Sequence, residues 1–164
     1  MKTMDLIRWA MQKTDEWTVG AAEDMRDAPL VQPTSHGGNH PLWILGHLAV
    51  VEGDVPKFLF GEPNSLEHWR PMFGQGTQPT TDAGAYPPFD EVLAAYRDLR
   101  AKNLERLDQI GESGLDEASA APSPGVKDEM LTRGQLLLLI ALHQMTHLGQ
   151  LADARRAAGR KPRF

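Results

Sequence analysis

A chain of 164 residues with a formal charge of −5 and a pI near 5.6 is long enough for one domain with a substantial core. The lack of any cysteine excludes disulfides, thiolate-bound zinc, iron–sulfur clusters and a thiol nucleophile of the chain's own, and it fits a reducing, cytoplasmic setting. The acidic balance argues against nucleic acid as a partner, no apolar run reaches the roughly 18 residues of a membrane span, and the start, with Asp5 and no apolar core, does not read as a secretory signal.

Four segments carry a helical period. In the first, 3–28, Ile7, Ala10, Met11, Thr14, Trp17, Ala21, Met25 and Ala28 recur at three- and four-residue steps, and Pro29 and Pro33 stop it. In the second, 41–60, Pro41 suits the first helical position, with Asn39 or His40 as the cap. Leu42, Trp43, Leu45, Val50 and Val51 make it mostly apolar, and Gly53 and Pro56 predict a kink or break near its end. The third, 88–110, opens on Asp90 and Glu91, where the helix dipole favours acids, and Gly111 terminates it. Its inner face is read as Phe89, Leu93, Tyr96, Leu104, Leu107 and Ile110. The fourth, 132–158, has the stripe Leu136, Leu139, Ile140, His143, His147, Gln150, Leu151 and Ala154, and Gly159 ends it. A long connection, 61–87, is rich in Gly, Pro, Thr and aromatics, and a shorter linker covers 111–129. No useful stretch alternates with period two. The chain therefore reads as an all-α domain over 1–164, a four-helix bundle with a long crossover between the second and third helices.

Three of the six histidines occupy inward positions. His143 and His147 lie four residues apart, so both imidazoles leave one helix face, one turn apart. His47 lies in the middle of the apolar second helix. Two ligands from one helix and a third from another can assemble a facial three-nitrogen site with open positions, the pattern of catalytic metals. The competing reading is three satisfied core histidines. His40 can cap its helix or line a pocket mouth, Trp43 can wall a pocket or pack, and Trp69 and Phe73 can cover a site or pack down. Gln150, one turn past His147, can orient that ring or face solvent. His36 and His68 fall in loops and read as bystanders.

Several chemistries are excluded. The run from His143 to His147 has zincin spacing but Gln144 where a general-base Glu belongs. The Glu-x-x-His motif of a di-iron bundle is absent, as is a P-loop. The glycines at 74 and 76 imitate a dinucleotide fingerprint, but Pro79 stands in its last position with no strand before it.

The segment 39–52, from Asn39-His40-Pro41 through Gly46-His47 to Glu52, resembles the second helix of the DinB/YfiT-like superfamily of metal-binding four-helix bundles. His143 to Leu151, with its His-x-x-x-His-x-Gly-Gln run, resembles the last helix, and the Gly159-Arg160-Lys161-Pro162 ending is similar too. The resemblance implies an up-down-down-up bundle holding one divalent ion, zinc or nickel, on His47, His143 and His147. It also implies frequent homodimers and a small-molecule substrate. Some relatives are S-transferases that use low-molecular-weight thiols, and others are thiol-dependent isomerases.

The leading expectation is thus a metal-dependent S-transferase whose thiol cosubstrate comes from solution, consistent with the absent cysteine. A metal-dependent hydrolase and a non-catalytic metal- or ligand-binding bundle are the alternatives. No residue stands out as general base.

Overall fold

The computed structural model describes residues 1–123 and 129–163. Its helices are α1 (Thr3–Glu23), α2 (Pro41–Phe60), the one-turn α3 (Arg70–Phe73), α4 (Phe89–Gly114) and α5 (Arg133–Ala157). There is no strand among the described residues, and none of these helices is long and apolar enough to cross a membrane. Residues 124–128 of the second linker lie outside the described chain.

Local sequence accounts for most boundaries. α1 stops at Glu23, five residues before the period runs out. Beyond it the chain tightens into three-residue turns, with Met25 N–H on the Ala22 carbonyl and Ala28 N–H on that of Met25. Met25 still points inward and is buried, which is why the apolar period outlasts the helix. Thr132 caps α5, its hydroxyl accepting from Gln135 N–H while the Gln135 side chain accepts from Thr132 N–H. Gly111 leaves the helical region at φ 65°, as its glycine identity predicts, and one further turn follows to Gly114.

α2 contradicts the expected break. It runs unbroken to Phe60 with Pro56 inside it. The carbonyl that Pro56 cannot bond belongs to Glu52, and Asn103 of α4 donates its side-chain amide to that oxygen at 3.0 Å. The proline therefore leaves no orphaned acceptor, and the helix continues. Gly53 serves packing: a Cβ there would collide with the Asn64 side chain.

α1 packs on α5 and α4, and α2 packs on α4 and α5, so α1 and α2 are diagonal, as are α4 and α5. The ends fix the directions. Thr3 N–H meets Glu112 at 2.8 Å and Arg26 pairs with Asp90, so α1 and α4 are antiparallel. Gly134 lies against Ile7 and Arg155 holds Asp24 at 2.8 Å, so α1 and α5 are parallel. His40, at the head of α2, meets Tyr86 just before α4, and Leu59 and Leu107 share a cluster at the other end, so α2 and α4 are parallel. The four long helices run up, down, down, up. Two apolar clusters fill the interior. One includes Val19, Ile44, Leu48, Phe73, Tyr96 and Leu151, the other Met11, Val55, Leu59, Leu107, Leu136 and Leu137.

Candidate metal site

His47 of α2 and His143 and His147 of α5 meet in the seam between those helices. A ring nitrogen from each lies within 4.8 Å of the others. The ring centroids are 4.6 Å apart for His143 and His147, 4.9 Å for His47 and His147, and 5.3 Å for His47 and His143.

Two rings have fixed tautomers. The Phe73 carbonyl can only accept, so His47 donates Nδ1–H to it at 2.8 Å and turns the Nε2 lone pair inward. His147 donates Nδ1–H to Gln150 Oε1 at 3.0 Å, and its Nε2 faces His143 Nε2 at 3.2 Å. Ligands of a tetrahedral ion with bonds of about 2.0–2.1 Å stand roughly 3.4 Å apart, so this spacing fits a shared cation. Orienting bonds on the remote ring nitrogen are the usual support of a ligating histidine. His143 Nδ1 is buried with no hydrogen-bond partner among the described residues.

The electrostatics favour the same use. Burial lowers the pKa of His47 to about 4, opposed by the Phe73 carbonyl and reinforced by His147. Burial also brings His143 to about 4, with His147 and His47 adding to the effect. His147 is lowered by burial and partly restored by Gln150. All three imidazoles are therefore neutral near pH 7, the form that binds metals. Segments 43–51 and 139–151 contain no Asp, Glu, Lys or Arg, so no charged side chain lies within a turn of any of the three rings along its own helix. Asp54, farther along α2, acts on His47, so a divalent ion here would keep much of its charge and favour an anionic ligand.

The surroundings resolve the open sequence readings. His40 caps α2: its Nδ1 accepts from Trp43 N–H at 3.0 Å, and its Nε2–H donates to the Thr80 carbonyl at 3.0 Å. Trp43 stacks on His47, centroids 4.8 Å apart and planes 7° from parallel, and anchors the crossover through Nε1–H to Thr77 Oγ1 at 3.0 Å. Trp69 and Phe73 pack into the core, while the Phe73 carbonyl is what touches the site. His36 and His68 are exposed.

Sequence reasoning missed what places that carbonyl. Asp54, one turn after Val50 on α2, accepts from Arg70 Nη2 at 2.6 Å and from Asn64 Nδ2 at 2.8 Å, which pins the crossover and α3 to α2. Gly46 lets Phe73 lie flush on the helix, because a Cβ there would overlap its ring. Glycine one residue before an inward histidine was the available signal.

Comparison with known proteins gives the same architecture. The family described as the DinB superfamily matches residues 10–151. Among solved structures, the chain is similar to YfiT from Bacillus subtilis, described as a probable metal-dependent hydrolase with an unusual four-helix bundle topology. The TM-score is 0.69 at 17% identity, covering 96% of this chain and 89% of that one. No curated protein sequence matches. With a family match over most of its length and the same bundle, the chain belongs to the DinB superfamily.

Proposed function

We propose that the protein is a divalent-metal-dependent enzyme with His47, His143 and His147 as ligands and zinc or nickel as the ion. It transfers a low-molecular-weight thiol to a small electrophilic substrate. The carrying observation is a three-nitrogen set with two rings already oriented and no carboxylate, lysine or arginine within a helical turn on α2 or α5. Such a set leaves coordination positions open and supplies no general base. An ion held by His47, His143 and His147 would supply a Lewis acid that favours ionisation of a small-molecule thiol near pH 7. The chain's own residues hold and orient the three rings. Trp43, anchored to Thr77 through Nε1–H, stacks over one face of His47.

Hydrolysis is the second reading, favoured by the description of YfiT. The two separate by rate: S-transfer saturates with added thiol, whereas hydrolysis proceeds without it. Metal content of the purified chain before and after chelation, together with the His143→Ala variant, tests the ligand assignment. About one ion per chain is expected in the native protein, and His143→Ala should stay helical but lose tight binding. Unchanged affinity in that variant overturns the assignment.

We further propose a homodimer. Leu6 and Trp9 on α1 and Leu138, Leu142 and Met145 on the adjoining α5 are exposed large apolar side chains on neighbouring helices. A second copy of the same face would cover them.

A further inference from the structure

Between the two apolar clusters runs a polar layer drawn from all four long helices. Arg100 of α4 is at its centre and is 2% exposed. Its Nη2 pairs with Glu52 of α2 at 2.9 Å and donates to the Gln144 side-chain oxygen of α5. Gln144 donates onward to the Tyr96 hydroxyl, which donates to Asp15 of α1 at 3.0 Å. Asn103 completes the layer on Glu52 Oε2 at 2.8 Å.

Buried ion pairs are weak contributors to stability, because desolvation offsets the attraction. This one is less favourable than most, since Arg100 Nε and Nη1 are buried and find no hydrogen-bond partner among the described residues. Apolar side chains of similar volume would hold the helices together at least as well. Apolar burial is non-directional, whereas hydrogen bonds and ion pairs demand a particular donor–acceptor geometry between the helices they join.

The layer touches the two helices that matter for the site. Glu52 is five residues beyond His47 on α2, and Gln144 directly follows His143 on α5. Arg100 bonds both from a helix that carries none of the three histidines. A slip of α5 along α2 by one residue is about 1.5 Å. Metal–ligand distances tolerate only about 0.2 Å.

We propose that Arg100, acting through Glu52 and Gln144, is a positioning residue that sets the axial register of α2 against α5 and thereby the spacing of His47 from His143 and His147. This rests on the three-histidine metal reading above.

The test is Co²⁺ binding to the full chain, read by visible absorption and by competition with a chelating dye, in parallel with thermal melting. The Arg100→Met/Glu52→Met double variant should fold and melt cooperatively, yet lose about tenfold or more in Co²⁺ affinity with a changed absorption band. Gln144→Met, which cuts only the α5 link, should weaken binding in the same direction. Leu107→Ala, in the lower apolar cluster, should melt earlier with affinity unchanged. The proposal is overturned if the layer variants bind Co²⁺ as the parent does with the same band, or if Leu107→Ala weakens binding equally. Should the double variant fail to fold, Gln144→Met decides. A parent chain that takes up neither Co²⁺, Zn²⁺ nor Ni²⁺ sinks the metal reading itself and the register proposal with it.

Discussion

Each histidine of the triad does a different amount of work before any ion arrives. Gln150 fixes the His147 tautomer, so Gln150→Leu should leave the fold intact and reduce metal affinity roughly 10–100-fold. Titration of the metal-free variant checks this, and an unchanged constant would make Gln150 a bystander. The same rings also set a pH dependence. His47 and His143 sit at about 4 in the folded chain, against about 6.5 when unfolded. Between those values the unfolded state binds protons that the native state refuses. Stability of the metal-free protein should therefore be full above about pH 6.5 and fall as pH drops toward 4. Denaturant unfolding across that window measures it, and a stability that rises on acidification would contradict the burial described. Helical spacing put His143, His147 and Gln150 on one face of α5 and left open whether Gln150 faces the ring or solvent, while His47 was picked out by its place in the apolar middle of α2. The Phe73 carbonyl was not legible, because a backbone acceptor from a loop leaves no mark in residue identity. Arg100 and Asn103 were legible but overlooked. They follow Tyr96 at four and seven residues, on the inward face, where the apolar reading chose the half-buried Leu104 and Ile110 instead.

Among elements, α2 is the one the others are fitted to. It is buried along most of its length, and it receives α4, α5, α3 and the crossover. Its two expected weak points are each met by a neighbour: Asn64 lies against Gly53, and Asn103 takes up the Glu52 carbonyl that Pro56 leaves unbonded. Local rules read them as breakers because the compensating groups lie on α4 and in the crossover. Gly46 is a third such contact. Gly46→Ala should destabilise the fold by about 1–3 kcal/mol through overpacking against Phe73. It should also weaken metal binding, because α3 would carry the Phe73 carbonyl away from His47. Melting and metal titration of one variant check both effects, and loss of stability with full affinity would uncouple α3 from the site. The crossover itself was expected as one long loop. Its short helical turns, at 67–69, 70–73 and 83–85, were too brief to show a period, and the position of α3 depends on Asp54 holding Arg70.

For the whole molecule, the bundle class and its four long helices follow from periodicity, whereas the helix order around the bundle does not. Periodicity reports which face is inward, never which neighbour it meets. Association is an outward-face matter. Leu142→Glu places a charge among the exposed apolar residues of α5, and it should shift the sedimentation of the chain from dimer to monomer without loss of helicity. A parent that already sediments as a monomer would remove the dimer. The diagonal placement of α1 and α2 has a further consequence, for the order of events in folding. Most bundles can pair their first two helices as a hairpin, but here α1 finds its main neighbours only in α4 and α5, with Asp24 reaching Arg155 across 131 positions. Non-local pairing of this kind slows folding, because loop closure must precede the contacts that reward it. On the ribosome, the first helix made must wait for the last to gain its larger partner. Until residues 133–157 emerge, the side of α1 that packs on α5 stays open, with α4 as its available neighbour, and only one of the three site histidines is in place.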